Sequence, residues 1–460
     1  MKKFLCILAS VVLLLGTIKT DIADALSFTP TLKDKISSEA VVLYNIDTTS
    51  VVYEKNPDKQ MNPVQLVQIM TAVIVLENVT DLNQKYECPV EIYDEFTRYS
   101  DTYPAEQFPY NEVTLCDLDA GDAVTVKELL YAMMLSSSCE AAGTLAYHVG
   151  DGSVEKFVEM MNQKAKEIGA VNTKFTNPHG LYDENQYTTA SDMMTITEYA
   201  MTVPGFIEIA SANTYKIPSS DTLSVEINLS NRNLMMNADS EYYYPNAKGI
   251  KTGSSGQSGR CLVTKASKDG QSYIIVLMSS PLGLDNDESY TNLKDATALF
   301  DWAFDKIKHT TILQSTEEIQ TVKVNYAVGR KSINLRPAED VQCMWESTLN
   351  TASIDTSDIT YLYKELNAPI KAGDKIATLT LRYSGDVIDT VDLVAYSDVE
   401  RSIFKYSSEI INSYFKSASF KNALRIACAL SVLYIILVLY VANKRMKKRR
   451  EKRLAQSRKR

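Results

Sequence analysis

Two glutamines three residues apart, Gln65 and Gln68, stand where a helix begins in NPVQLVQIMTAVIVLE, residues 62–77. Side chains three residues apart on a helix share a face, so groups placed there can act together. A carboxamide is no nucleophile and carries no basic nitrogen. Groups able to do chemistry lie further along: the hydroxyl of Ser137 and the thiol of Cys139 in LSSSCE, and the amine of Lys251 in KTG. His179, between Pro178 and Gly180, reads as a turn residue, and Cys261 reads as a small buried hydrophobe.

The elements that position these residues follow from local pattern. Pro63 suits a first helical turn, and Leu66, Ile69, Met70, Val73 and Leu76 recur at helical spacing, which predicts one buried face. Before it, AVVLYNIDTTSVVYEKN reads as two strands joined at Asp-Thr-Thr. Residues 125–149 read as a helix, a Ser-rich interruption and a second helix, and 153–168 and 191–202 are helical. Between 247 and 280 the texture turns to strands with Gly punctuation. Strands, then helices, then strands predict one α+β domain whose two ends share a sheet. From about 317 to 398 a strand-rich run predicts a small β domain, and 404–422 is helical.

The chain of 460 residues is 45% hydrophobic and 23% charged, enough for two or three domains with real cores. Met1-Lys2-Lys3, an apolar run and Ala23-Asp24-Ala25 predict a secretory signal over 1–25. Near the other end Ile426 to Ala442 is unbroken apolar sequence, predicting a membrane span over 423–442. The tail from Asn443 holds eleven Lys or Arg and one Glu, which assigns it to the cytoplasmic side and the body to the outside. The formal charge of −9 therefore places about −19 on the first 442 residues, so no nucleic-acid footprint is spread over the fold. Five cysteines lie outside the signal and the span, with no close Cys-x-x-Cys pair, so no structural zinc site is expected. Cys88 and Cys116 bracket an acidic, aromatic segment; a disulfide closing it and two free thiols are both open.

GIKTGSSGQSGRCLV at 249–263, TNPHGLYDENQYTTASDM at 176–193 and LLYAMMLSSSCEAAGTLA at 129–146 together resemble the penicillin-binding serine D-Ala-D-Ala carboxypeptidases. The opening hairpin and LNAPIKAGDKIATLTL resemble that family's first hairpin and accessory β domain, so the likeness runs from about 38 to 400. It implies a β-lactamase/transpeptidase-like domain over 26–310, an antiparallel sheet packed by helices. A β-rich domain over 311–403, a juxtamembrane helix over 404–422, the span, and a basic tail over 443–460 complete the expected order.

The resemblance also implies three motifs around one cleft, Ser-x-x-Lys, Ser-x-Asn and Lys-Thr-Gly. The first falls on Gln65 and Gln68, so both working residues are replaced. The second falls on Ser137-Ser138-Cys139 and keeps only its Ser. The third is intact as Lys251-Thr252-Gly253, implied to hold a substrate carboxylate. The backbone N–H groups of Gln65 and Ser254 are implied as an oxyanion pair, since such donors do not depend on side-chain identity. The first reading is thus a catalytically degenerate homologue that binds peptidoglycan stem peptides or other wall enzymes, tethered by its C-terminal helix, with no cofactor or metal. The alternatives are an active carboxypeptidase, with Ser137 or Cys139 as a relocated nucleophile and Lys251 as base, and a structural envelope protein with a vestigial cleft. The segment 90–115 is expected to shape access.

Overall fold

The computed structural model describes residues 36–104, 113–282 and 290–457, so the expected signal over 1–25 lies outside the described residues. The chain divides into two compact units. The first holds the described residues up to Ile312, with Gln342–Ile354 and Arg382–Asp389.

The unit is organised by a five-stranded antiparallel sheet in the order β2-β1-β5-β4-β3. Its strands are β1 (Ala40–Asn45), β2 (Ser50–Lys55), β3 (Ala247–Ser255), β4 (Gly259–Lys268) and β5 (Gln271–Ser280). The two ends of the domain do share this sheet, with Val42 opposite Val276 and Leu43 opposite Ile275. The β1–β2 turn is fixed by Asn45, whose Oδ1 accepts the Thr48 N–H at 2.8 Å. Along β5 every residue from Tyr273 to Met278 is buried. Alternate side chains point to opposite faces, so both faces of the sheet are covered. Tyr273 meets Phe304 edge-on at 5.1 Å on one face, while Ile274, Val276 and Met278 enter the main core on the other.

The helices are α1 (Gln68–Asn78), α2 (Val90–Thr102), α3 (Val126–Ser136), α4 (Cys139–Val149), α5 (Val154–Glu167), α6 (Ala190–Thr202) and α7 (Thr291–Lys306). A single 3₁₀ turn, Val64–Val67, precedes α1. The sequence predicts one buried face for α1; instead every residue from 68 to 75 is buried, including Gln68. The helix therefore runs through the core, and its few polar side chains must be hydrogen-bonded internally. The Ser-rich interruption is confirmed. A capping box at Thr125–Glu128 starts α3, Ser137 ends it in the left-handed region, and Ser138 caps α4 by accepting the Ala141 N–H at 3.0 Å. Cys88 and Cys116 are both buried free thiols, which corrects the disulfide considered above.

The second unit comprises Leu313–Val341, Asp355–Leu381 and the residues from Thr390 on. Its six-stranded sheet has the order β8-β10-β11-β7-β6-β9. These strands are β6 (Gln320–Asn325), β7 (Ser332–Pro337), β8 (Asp355–Tyr361), β9 (Leu366–Asn367), β10 (Lys375–Tyr383) and β11 (Asp386–Ala395). Two helices follow, α8 (Ile403–Lys416) and α9 (Ala418–Ser457). The expected juxtamembrane helix is thus shorter, and span and basic tail form one continuous helix. Ala418–Leu454 is the one helix among the described residues long and apolar enough to cross a membrane.

Within the first unit the loop at 177–181 is pressed onto the turn before α1. Asn177 Oδ1 accepts the Gly180 N–H at 2.7 Å, and Gly180 has φ +87°. A Cβ there would stand 2.4 Å from Val64 O and 2.5 Å from Gln65 Cα. Gly169, at φ +94°, has nothing within 4 Å of the same position. Gly169→Ala should therefore cost only the left-handed backbone strain, about 1 kcal/mol. Gly180→Ala should cost about 2 kcal/mol more, because backbone must move. Thermal unfolding of both variants in detergent checks this; equal costs would mean that the loop does not press on the turn.

Candidate functional site

The turn that presents Gln65 is held from two sides. Pro63 sets its entry at φ −72°, and Val64 adopts φ +46°, a costly conformation for a β-branched residue. Asn62 Oδ1 accepts the Val64 N–H at 3.0 Å and helps to hold that conformation. On one side stands Gly180. On the other, a Cβ at Gly253 on β3 would lie 2.6 Å from Val64 Cγ2 and 2.9 Å from the Gln65 nitrogen. The glycine of Lys251-Thr252-Gly253 is thus required for the edge strand to reach the turn.

Neither glutamine is a solvated helix residue: Gln65 is 8% exposed and Gln68 fully buried. Gln65 Oε1 accepts the backbone N–H of Ser254 at 2.8 Å. That corrects the expectation for the oxyanion pair, since one of its two donors is already engaged by the chain's own side chain. Gln68 Nε2 donates to His179 O at 2.9 Å and to Ser137 O at 3.4 Å, joining α1 to both neighbouring segments. Its Oε1 has no partner among the described residues.

Ser137 and Lys251 are brought together as the resemblance implies. Lys251 Nζ donates to Ser137 Oγ at 2.5 Å and to Thr252 O at 3.1 Å. Burial, reinforced by the nearby Arg232 guanidinium, lowers the Lys251 amine from 10.5 to about 7. Much of this lysine is therefore neutral near neutral pH, and it faces a hydroxyl.

Cys139 lies behind the site and does not line the cleft. Its side chain sits in an apolar cluster with Ile92, Phe96 and Leu181, and burial pushes the thiol up to about 12. A thiol in that state is inert, which removes it as a relocated nucleophile. Cys261 is buried, as expected, and burial raises its thiol to about 12 as well. His179 is structural: its Nδ1 accepts the Leu181 N–H and its Nε2 donates to Glu95 Oε1 at 3.2 Å. Glu95 lies on α2, so the described part of the acidic segment is fastened beside the site, and Thr114 lines the cleft itself.

The cleft encloses about 420 Å³. Gln65, Ser137, Thr252, Gly253 and Ser254 line it together with Arg232, Arg260 and Asn292, and among the described residues no Asp or Glu lines it. Arg260 is stacked over the Tyr290 ring at 4.1 Å. Sequence reasoning missed Arg232, Arg260 and Asn292: Arg232 and Asn292 lie outside the motifs, and Arg260, although within the 249–263 stretch, reaches the cleft through its pairing opposite Ser254. The result is a cationic, hydroxyl-rich pocket suited to a carboxylate.

Residues 27–282 match the D-alanyl-D-alanine carboxypeptidase family, and 308–401 match the penicillin-binding protein 5 C-terminal domain. The chain is 26% identical over 370 residues to D-alanyl-D-alanine carboxypeptidase DacF of Bacillus subtilis, covering 80% of this chain and 87% of that protein. It is 27% identical over 380 residues to DacA of Haemophilus influenzae, again covering 80% and 87%. Two solved structures share the fold. Penicillin-binding protein 5 of Haemophilus influenzae matches with a TM-score of 0.54 at 24% identity, over 82% of this chain and 100% of that one. The carboxypeptidase DacD of Francisella tularensis matches with a TM-score of 0.58 at 21% identity, over 84% and 98%.

The lowered Lys251 amine fixes a pH dependence. Between about 7 and 10.5 the folded chain holds fewer protons on this residue than the unfolded chain, so its contribution to stability rises with pH across that window. Below it, the cost of burying the charged amine is fully present. In Lys251→Met the corresponding rise in the unfolding midpoint should disappear; an unchanged rise would show that Lys251 does not titrate there.

Proposed function

The chain belongs to the D-alanyl-D-alanine carboxypeptidase family, and from that premise we propose a member that binds the peptide ends of peptidoglycan without cleaving them. The observation that carries this reading is the pair of carboxamides at the positions of nucleophile and base, both buried and hydrogen-bonded. Losing a nucleophile alone costs about six powers of ten in a triad protease. Replacing nucleophile and base together removes the acyl-enzyme route and leaves only binding and positioning. The cationic cleft with Lys251, Thr252 and Gly253 then serves as a receptor for a stem peptide, or as a docking point for another wall enzyme. The apolar C-terminal helix would tether the body outside the cell membrane, with its basic end in the cytoplasm.

One observation favours a second reading, an active carboxypeptidase. Lys251 Nζ lies against Ser137 Oγ, and an amine near 7 is suited to take a hydroxyl proton. Against it, a relocated nucleophile must still meet oxyanion donors at bonding distance, and Ser254 N–H already serves Gln65.

Fluorescent penicillin separates these readings when the full chain is labelled in detergent and read as a covalent band. Wild type should stay unlabelled, and the double variant Gln65→Ser with Gln68→Lys should acylate. Labelling of wild type that vanishes in Ser137→Ala would overturn the proposal in favour of the second reading. If no carboxylate ligand binds wild type by calorimetry, the cleft is vestigial and the role purely structural.

A further inference from the structure

The side chain that replaces the nucleophile does more than remove chemistry. Its carboxamide oxygen takes the Ser254 N–H at 2.8 Å, the donor a ligand's acyl carbonyl would need. Gln65 is fixed there by the turn clamped between Gly180 and Gly253, and a Cβ on Gly253 would already lie 3.0 Å from that oxygen. The chain thus carries its own amide where a bound peptide would place one.

The remainder of the cleft is open and differently equipped. Arg232 and Arg260 supply two cations and Thr252 a hydroxyl, and no carboxylate opposes them among the described lining residues. Asn292 lines the same cavity at 3% exposure, and its Oδ1 has no hydrogen-bond partner among the described residues. That oxygen is closed off from the cavity, so the two guanidinium groups are what the open part of the cleft offers, and they match a free carboxylate.

We infer that Gln65 is the specificity-determining residue of this cleft: its amide fills the acyl-carbonyl position, so a ligand is held by its free carboxylate, and a peptide end gains nothing from its own acyl carbonyl at the Ser254 donor. The inference rests on the binding role proposed above and names its ligand class. Free D-alanine is the natural probe, because it is the leaving half of a D-Ala-D-Ala end. N-acetyl-D-Ala-D-Ala is the contrasting probe, since its internal carbonyl competes with Gln65 for the Ser254 donor.

The test uses the full chain in detergent. Calorimetry with both probes is run on wild type, Gln65→Ala and Asn292→Ala, and hydrogen exchange of the 250–258 peptide is followed by mass spectrometry. D-alanine should bind wild type, Gln65→Ala and Asn292→Ala alike, because none of these changes touches the guanidinium groups. The acetylated dipeptide should bind Gln65→Ala at least about tenfold more tightly than wild type. Exchange at Ser254 should be slow in wild type and fast in Gln65→Ala. Equal affinity of the dipeptide for wild type and Gln65→Ala, or equal exchange, would overturn the inference and leave the binding role standing. Binding of neither probe to any protein, with Ser254 still protected, would overturn the binding role itself and the ligand class with it.

Discussion

The geometry of the cleft depends on one buried amide. Gln68 Nε2 reaches Ser137 O and His179 O, so a single side chain on the central helix joins three segments that each contribute to the site. Both carbonyls lie in the interior, where an acceptor without a donor costs about 1–3 kcal/mol. Because Ser137 turns between two helices in a left-handed conformation at φ +61°, and Gly180 turns at φ +87°, neither turn has regular secondary structure to hold it. The amide supplies that restraint. Once the three segments are fixed, β3 can approach the turn at 64–65 closely enough for Gly253 to be obligatory, and Lys251 is delivered to Ser137.

Electrostatics favours a neutral side chain at this position. Lys251 is buried and already lowered by desolvation and by Arg232. A second amine at residue 68 would add a like charge beside a pocket with no carboxylate among its described lining residues, so two amines and a guanidinium would share a poorly solvated space. An active site can accept such repulsion because depressed amines are useful bases. The carboxamide keeps the tie to Ser137 O and His179 O, removes the charge, and leaves one orphan acceptor at Oε1 as the residual cost.

Much of the fold was legible because its signals are local. The Asp-Thr-Thr hairpin, the break at residues 136–138 and the strands after 247 are each encoded within a few residues, and all are present. The sheet shared by the two ends followed from element order. The burial of Gln65 and Gln68 was not legible, since polar residues on an apolar helix are ordinarily solvated and their partners are distant. Gln68 meets groups 69 and 111 residues away, and Gln65 meets one 189 residues away. Arg232 and Arg260 escaped notice for the same reason. Cys139 shows the reverse error. Its place beside the second motif suggested reactivity, whereas the first turn of α4 points it into Ile92 and Phe96.

The two glutamines also differ in what they hold. Gln68 ties the central helix to the backbone carbonyls of Ser137 and His179. Gln65 accepts the pocket's own Ser254 donor. An apolar residue at 65 would leave the Ser254 N–H to water or to any carbonyl that enters. With glutamine, the donor is satisfied when the cleft is empty, so an incoming carbonyl gains only the difference between two similar hydrogen bonds, close to nothing. At the far end of the pocket the guanidinium groups are not offset by any acidic residue among the described lining. The Ser254 hydrogen bond is thus complete before any ligand arrives.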